Sequence, residues 1–305
     1  MVSIVIPCYN EGENITKTLE RLFKHIDESD YKENYEVVVV DSSTDNTYDL
    51  IQQSEYWSKD GLRIIRSKRQ MFPGEARNVG IEAATFDIIV FVDSGFSFEH
   101  NWFYELVTPL MDHDDLDITW GRTYTSVVDD MDRMFAYLVE SKTRDRKVLP
   151  NMAIRKKVFA DGHWFSRDLR AVEDTRFIQE ISGQYNERHV NAVNLYSGHP
   201  RTLKGAFRKW RIYSYYSHMA GYRRKGLLSS FQVATYLVIF LLFEPYLSLF
   251  FIIIGQSLRV LLKSNPRYRI KTWEFPKVIA MSFAIDAGRL VGTLHALFTI
   301  CKCNP

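Results

Sequence analysis

Three short polar segments, each with a carboxylate, directly follow apolar runs in the first third of the chain. They are Cys8-Tyr9-Asn10-Glu11, Asp41-Ser42-Ser43-Thr44-Asp45 and Asp93-Ser94-Gly95. One such segment is ordinary, because turns favour Asp, Asn and Ser. If three such segments come together, however, their carboxylates repel one another unless a cation or a hydroxyl-rich ligand lies between them. The residue types therefore predict a site for a metal ion or a hydroxyl-rich ligand, if the fold brings the segments together.

The apolar runs ahead of these segments have the length and composition of buried β-strands. Helical patterns lie between them, with apolar residues such as Ile15, Leu19 and Leu22 three and four positions apart. This alternation predicts an α/β fold with a parallel sheet that is covered on both faces. Ligands of such sheets bind beyond the carboxyl ends of the strands, where the polar segments begin. The predicted strands are 2–7, 35–40, 62–66 and 86–92.

Four motifs, in this order, resemble those of the family 2 glycosyltransferases: VSIVIPCYNEGENI, VVVVDSSTDNT, GEARNVGI and VFVDSG. The resemblance covers residues 1–210. It implies the GT-A (nucleotide-diphospho-sugar transferase) fold, with a mostly parallel central sheet. It also implies an enzyme whose donor is a nucleoside diphosphate sugar.

The resemblance assigns the donor nucleotide to the first two polar segments. Asp41 would accept the N–H of the base, and the residue type agrees, since a carboxylate accepts an imide proton. A tyrosine ring likewise offers a flat face for stacking. The residues that would border the base and ribose are Pro7, Tyr9, Asn10 and Glu11.

Arg77 matches an arginine that lies near the donor in this family. A guanidinium at the start of a helix can bridge a phosphate and a carboxylate. The alternative is a structural arginine that supports Asp93 or Asp41.

Asp93-Ser94-Gly95 occupies the position of the family's Asp-x-Asp, the pair that holds Mg²⁺ or Mn²⁺ against the donor diphosphate. Gly95 replaces the second carboxylate, which weakens the expectation of a metal without removing it, because phosphate oxygens and water also bind a hard cation. His199 resembles a further metal ligand of some members, and an imidazole ligand favours Mn²⁺. The alternative for His199 is a hydrogen-bonding structural role.

Glu173-Asp174 matches the family's Glu-Asp motif ahead of a helix. In inverting members the aspartate is the general base, and an acceptor hydroxyl needs such a base to become a good nucleophile. The resemblance therefore implies that Asp174 is the catalytic base. The alternative is a charge that favours the helix N-terminus.

Residues 205–211 partly resemble the Gln/Arg-x-x-Arg-Trp segment of processive synthases. Lys209 replaces the arginine and only Trp210 matches, so processive synthesis is not expected. Lys209 and Trp210 are retained as donor-side residues, and basic side chains at 208, 209 or 211 would neutralise the departing diphosphate.

The net charge of +2 hides an uneven distribution along the chain. Residues 1–199 carry 23 Lys and Arg against 34 Asp and Glu, whereas residues 200–305 carry 16 against 3. Basic and aromatic residues between 201 and 225 are compatible with single-stranded nucleic acid. The almost wholly apolar run at 231–262 that follows instead indicates a cytoplasmic membrane interface, so no nucleic acid partner is expected.

The apolar run is interrupted by Glu244-Pro245. Its first part, Phe231–Phe243, would be about 20 Å long as a helix, shorter than a hydrocarbon core of about 30 Å. A re-entrant or interfacial hairpin that turns at Glu244-Pro245 keeps the basic residues on both sides at the cytoplasmic face. The alternatives are a transmembrane segment over 231–254 and a helical subdomain buried in a soluble protein. Val278–Ile300 is expected to be an amphipathic helix on the membrane or on the hairpin.

Together these expectations describe a catalytic domain over 1–222 and a helical membrane-associated region over 223–305. The three cysteines form no disulfide framework and the N-terminus resembles no export signal, so a cytoplasmic location is expected. The expected function is inverting transfer at the cytoplasmic membrane face to a lipid-linked or glycan acceptor, as in the synthesis of cell-envelope glycans. The alternative is a non-catalytic sugar-nucleotide-binding or membrane-scaffold protein, suggested by Gly95.

Overall fold

The structure of the chain is a computed structural model that describes residues 1–29, 34–140, 146–222, 235–236 and 238–303. The basic residues at 223–225 and residues 231–234 and 237 of the apolar run lie outside these described residues. The described residues form two compact units. The first comprises Met1–Tyr124 and Arg144–Gly198, and the second comprises Thr125–Thr143 and His199–Pro305.

Four β-branched, apolar segments form the parallel half of the sheet in the first unit. They are β1 (Val2–Cys8), β2 (Tyr35–Asp41), β3 (Leu62–Arg66) and β4 (Ile88–Phe91), in the spatial order β3-β2-β1-β4. Most of their residues are buried, because helices cover both faces of this half. The four predicted strands and their parallel arrangement are confirmed.

Four further strands extend the sheet beyond β4, in the order β7-β6-β8-β5. β7 pairs antiparallel with β4 and β6, and β5 pairs antiparallel with β8. The sheet is therefore mixed. Its parallel half contains the strands that the three polar segments follow. The added strands are β5 (Phe96–Phe98), β6 (Ile118–Thr125), β7 (Met152–Arg155) and β8 (Glu187–Tyr196).

Helices alternate with the strands along the first unit. The predicted periodicity of the first helix is confirmed, since Ile15, Leu19 and Leu22 are all buried. α3 lies against β1 at Gly80, where an added Cβ would be 2.4 Å from Cγ1 of Val5. The α-helices are α1 (Glu13–Asp27), α2 (Thr47–Gln53), α3 (Pro73–Ala83), α4 (Trp102–Asp112), α5 (Asp130–Val139), α6 (Lys157–Ala160), α7 (Glu173–Ile181), α8 (Leu203–Met219), α9 (Pro245–Lys263) and α10 (Phe275–Cys303).

The second unit is helical, and the backbones of α8 and α10 come very close together. A Cβ at Gly288 would be 2.4 Å from the carbonyl oxygen of Phe207, and one at Gly292 would be 2.2 Å from that of Arg211. The two glycines are four positions apart and so lie on one face of α10, as in small-xxx-small helix contacts. Because of this packing α8 belongs to the same unit as α10. The predicted division after residue 222, which concerned membrane association, stays a prediction.

A turn at Glu244 precedes α9, which has Pro245 at its first position, where a helix tolerates proline. Residues 235–236 and 238–242 are helical. The Tyr236 hydroxyl donates to Oε1 of Gln256 (2.7 Å), and Oγ of Ser248 donates to the carbonyl oxygen of Ile239 (3.1 Å). These contacts arrange Tyr236 and residues 238–243 antiparallel to α9, with the turn at Glu244-Pro245.

Two helical segments, Pro245–Lys263 and Thr272–Ile300, are long and apolar enough to cross a membrane. This criterion concerns length and composition alone, and core helices of soluble proteins also meet it. Many apolar side chains of α9 are exposed, including Tyr246 at 89% and Leu262 at 66%.

Candidate functional site

The ends of β1, β2 and β3 are level with one another at the carboxyl edge of the sheet. Cys8 pairs in register with Asp41, and Asp41 pairs with Arg66. The segments that follow β1 and β2 therefore begin side by side, as predicted for the first two polar segments.

Asn10 joins these two segments by hydrogen bonds. Its backbone N–H donates to Oγ of Ser43 (2.8 Å), and its Oδ1 accepts from the backbone N–H of Thr44 (2.8 Å) and of Asp45 (3.3 Å). The φ angle of Asn10 is 55°, a left-handed conformation that asparagine adopts more readily than most residues. We call the joined segments 9–12 and 41–45 the polar ledge.

Asp41 is the fully buried first residue of the second segment of the ledge, and among the described residues only one of its carboxylate oxygens has a hydrogen-bond donor. Oδ1 accepts from the backbone N–H of Ser43 (3.1 Å). Oδ2 accepts no hydrogen bond from any residue that the structure describes. A buried oxygen without a donor is costly, so Oδ2 is suited to accept a hydrogen bond from a bound ligand.

Glu11 and Asp93 are close enough to influence each other's charge. Burial raises the pKa of Glu11, and the negative charge of Asp93 raises it further. Carboxylates of the first and third polar segments therefore lie near one another, as expected for segments at the carboxyl ends of parallel strands.

Arg77 occupies the centre of the site, buried at the first turns of α3. Its Nη2 donates to both oxygens of Asp93 (2.8 and 3.0 Å), and its Nη1 donates to Oε1 of Glu173 (2.6 Å). Burial lowers the pKa of Arg77, but the charges of Asp93 and Glu173 outweigh that effect and the pKa is raised overall. The contact with Asp93 is the one that the structural alternative predicted; a contact with the donor stays a prediction.

Glu173 and Asp174 point to different surroundings at the start of α7. Val172, directly before them, has φ of 64°, which is strained for a β-branched residue. Glu173 is buried against Arg77, and burial raises its pKa although Arg77 opposes this. Asp174 is only partly buried, and its Oδ1 accepts from the backbone N–H of Thr175 (2.6 Å). The sequence predicts no separate role for Glu173, and its charge within the matched Glu-Asp motif is the only signal of one.

His199, Lys209 and Trp210 lie in the second unit, whereas Asp93 lies in the first. Nε2 of His199 is 3.2 Å from Oγ1 of Thr125, and its ring is nearly parallel to that of Phe135, with centroids 6.0 Å apart. Burial lowers the pKa of His199 to about 4, and Lys209 contributes to this shift. The imidazole is therefore neutral near pH 7, as a metal ligand must be. Its role as a ligand stays a prediction.

Trp210 packs beside the same phenylalanine. The rings of Trp210 and Phe135 are 6.3 Å apart and 12° from parallel. Nζ of Lys209 is 6.0 Å from the centroid of the Trp210 ring. These two predicted donor-side residues therefore lie side by side on α8, and their contact with a donor stays a prediction.

Within the described ranges, no group of three or more His, Cys, Asp or Glu side chains is arranged to hold a metal ion. Asp93 is the one carboxylate of its segment, and its side chain is 31% exposed. A carboxylate accepts about four hydrogen bonds or ligand contacts, so Arg77 leaves lone pairs on Asp93. Asp93 therefore fits a cation whose other ligands are phosphate oxygens and water.

Relatives of known type share parts of this chain. Glycosyltransferase AglE of Haloferax volcanii is 37% identical over 102 residues, which cover 33% of this chain and 32% of that protein. The dolichol-phosphate mannosyltransferase of Pyrococcus furiosus is 39% identical over 94 residues, which cover 30% of this chain and 25% of that protein. The matches therefore span a third or less of the length of these relatives.

Solved structures with a similar fold cover nearly the whole chain. The mannosyltransferase PcManGT from Pyrobaculum calidifontis, in complex with GDP-Man and Mn²⁺, has a TM-score of 0.53 at 15% identity, covering 100% of this chain and 76% of that one. S. aureus TarS 1-349 in complex with UDP-GlcNAc has a TM-score of 0.51 at 16% identity, covering 98% and 91%. At this identity the similarity concerns the fold. The sequence profile of Glycosyl transferase family 2 matches residues 3–229, and the chain accordingly belongs to this family and has its GT-A fold.

Proposed function

We propose that this protein is an inverting glycosyltransferase. It moves a sugar from a nucleoside diphosphate donor to a lipid-linked acceptor at the cytoplasmic face of a membrane. The observation that carries the proposal is the buried Arg77, which binds Asp93 on the donor side and Glu173, the neighbour of Asp174. One side chain thus connects the residue proposed to face the diphosphate with the motif proposed to supply the base.

The polar ledge is the proposed donor site. Oδ2 of Asp41 would accept the N–H of a base, while Pro7, Tyr9, Asn10 and Glu11 border the base and ribose. Uracil and guanine both have an imide N–H that fits this acceptor. Similar structures contain UDP-GlcNAc or GDP-Man, which supports a donor of this class.

Asp174 is the proposed base for the transfer step. It would take the proton of the acceptor hydroxyl while that oxygen bonds to the anomeric carbon. The bond from this carbon to the diphosphate breaks on the opposite face, and the nucleoside diphosphate leaves with the electron pair. The partial exposure of Asp174 supports this role, because an acceptor can reach it.

Asp93 is the proposed ligand for Mg²⁺ or Mn²⁺, and His199 is a second candidate ligand. When bound, the cation would neutralise charge on the diphosphate. The two bonds from Arg77 fix the orientation of the Asp93 carboxylate. Lys209 and Trp210 are proposed to face the departing diphosphate.

Membrane association is proposed for the helices of the second unit. α9 exposes a broad apolar surface, and α8 exposes the basic residues Lys204, Arg208 and Arg211. An apolar surface beside basic residues is typical of proteins at anionic lipid surfaces. The relative in Pyrococcus furiosus is a dolichol-phosphate mannosyltransferase, which supports a lipid-linked acceptor.

The test compares Asp174→Asn with Asp168→Asn, an exposed aspartate in the segment before α7. We expect Asp174→Asn to lower the turnover of UDP- or GDP-sugars with a polyprenyl phosphate acceptor by roughly 100-fold or more. Donor binding, measured by calorimetry, should change less than about threefold. Asp168→Asn should match the wild type in both measurements. Turnover retained in Asp174→Asn would contradict the assignment.

A non-catalytic sugar-nucleotide-binding or membrane-scaffold protein is the second candidate, favoured by the missing carboxylate at Gly95. Donor hydrolysis separates the two functions, because a catalytic site can also transfer the sugar to water, whereas a non-catalytic site cannot. Tight donor binding with no hydrolysis and no transfer, with Mn²⁺ present, would support the second candidate.

A further inference from the structure

A buried polar cluster joins α9 to α10, with Asp286 at its centre. Both oxygens of Asp286 accept hydrogen bonds from Arg259, and Oδ2 also accepts from Nε2 of Gln256 (3.0 Å). Gln256 donates in addition to Oγ of Ser282 (2.7 Å). Asp286 is only 3% exposed, so its charge is balanced mainly by Arg259.

Arg289 is a second guanidinium beside the same carboxylate. Its Nη1 is 3.4 Å from Oδ1 of Asp286, a longer contact than the 3.0 Å bond from Arg259 to that oxygen. The Arg289 side chain is 34% exposed. Two arginines thus share one carboxylate, which leaves one positive charge in excess.

The other acidic residues of the second unit do not neutralise this charge. Glu274 binds Arg133, and Glu244 lies at the opposite end of α9, roughly 22 Å along the helix from Arg259. α8 contains no acidic residue. The acidic residues at the ends of α5 have partners of their own: Asp129 and Asp132 bind Arg201, Asp130 binds Arg133, and Glu140 accepts from Tyr268.

An exposed apolar side chain lies beside this cluster on α9. Leu262, three positions after Arg259 and so its neighbour on the helix surface, is 66% exposed. A pair of guanidinium groups on helices with exposed apolar side chains matches a molecule that has both an anionic head and hydrocarbon chains. A guanidinium fork binds phosphate oxygens in pairs, which a compact ammonium group does not.

We propose that Arg289, supported by Arg259 and Asp286, binds the phosphate head group of a lipid at the contact between α9 and α10. This inference rests on the proposed membrane association. The same chemistry is available from two sources, the anionic phospholipid of the bilayer and a polyprenyl phosphate.

The test measures the binding of dihexanoyl phosphatidic acid to the full chain in an uncharged detergent, by calorimetry. Arg289→Gln should weaken the affinity roughly tenfold or more, the scale of a lost charge-assisted hydrogen bond. Lys263→Gln is the matched control, because it removes one positive charge from the last turn of α9. Its affinity should stay within about twofold of the wild type. Arg289→Lys keeps the charge without the fork; it should bind less tightly than the wild type, and it decides the question if Arg289→Gln does not fold.

Competition identifies the source of the phosphate. Displacement of the probe by a polyprenyl phosphate at lower concentrations than by phosphatidylglycerol assigns the site to the polyprenyl lipid, and equal displacement assigns it to bulk phospholipid. Equal weakening in Arg289→Gln and Lys263→Gln, or no saturable binding by the wild type, would overturn the inference. Cosedimentation of the wild type with vesicles tests the proposed membrane association separately. If the wild type sediments with vesicles but the variants bind the probe alike, only the lipid site is wrong.

Discussion

Nη1 of Arg77 lies 2.6 Å from Oε1 of Glu173, although 96 positions separate the two residues in the chain. Both side chains are almost completely buried, and Arg77 also binds Asp93. Arg77 therefore connects α3, the end of β4 and the start of α7. This contact links the fold to the proposed site, because the same groups stabilise both.

Replacing Arg77 by methionine should destabilise the protein strongly. The change leaves Glu173 buried without its cation, and breaking a buried pair in this way costs about 3 kcal/mol or more of unfolding free energy. Urea denaturation measures the loss. Arg69→Met is the control, because Arg69 pairs with Glu75 at the surface. This substitution should leave the free energy of unfolding nearly unchanged. Equal effects of the two substitutions would contradict the structural role of Arg77.

Asp41→Asn should reduce nucleotide binding while leaving the fold intact. The amide can present an N–H where Oδ2 now offers an acceptor, so a base N–H loses its partner. We expect the affinity for the preferred nucleoside diphosphate to fall about tenfold or more. Calorimetry with UDP and GDP in turn also identifies the base. Asp49→Asn, an exposed change on α2, should bind like the wild type. Unaltered affinity in Asp41→Asn would exclude Asp41 from the base site.

Stability at low pH should depend on Glu36 in β2. Burial raises the pKa of Glu36, but hydrogen bonds from Ser3 (2.6 Å), Thr85 and Arg63 (2.8 Å) outweigh burial and hold the pKa below 4.5. The ionised form is thus favoured by folding, and its contribution to stability is present above pH 4.5 and lost as the pH falls through the lowered pKa.

Urea denaturation of the wild type and Glu36→Gln at pH 7 and at pH values below 4.5 tests this. The stability difference between them should be largest at pH 7 and should shrink on acidification. A difference that does not change with pH would show that Glu36 contributes through packing alone.

Gly288→Ala should weaken the contact between α8 and α10. The new methyl group would lie 2.4 Å from the backbone oxygen of Phe207, so the helices must move apart, at a cost of about 1–3 kcal/mol. Gly255→Ala in α9 is the control, since its nearest neighbour would be a ring carbon of Tyr236 at 3.9 Å. The control should be neutral or slightly stabilising, because alanine favours helix. A thermal melt distinguishes the two, and equal melting temperatures would refute the close packing at Gly288.

The parallel half of the fold was predictable because its strands are long apolar runs and α1 has a regular spacing of buried residues. β5 and β7 were not, since strands as short as Phe96–Phe98 and Met152–Arg155 are stabilised by pairing with distant segments rather than by their own composition. The inclusion of residues 125–143 in the helical unit likewise depends on long-range packing.

The polar segments of the site were predictable for a related reason, because parallel strands end at one edge. The partners of individual side chains were not predictable. The pairing of Arg77 with Glu173 and the unbonded Oδ2 of Asp41 depend on side-chain positions that no local pattern determines.

The hydrogen bonds between Asn10 and residues 43–45 also constrain how the proposed donor site can change. Since Oδ1 of Asn10 accepts from the backbone N–H groups of Thr44 and Asp45, we expect a substitution at position 10 to release the second segment of the polar ledge. A switch of the proposed nucleotide preference, in evolution or in the laboratory, would therefore have to keep Asn10 or replace the bonds that its side chain makes. Among relatives, we expect a side chain that accepts hydrogen bonds, such as asparagine, to be retained at position 10.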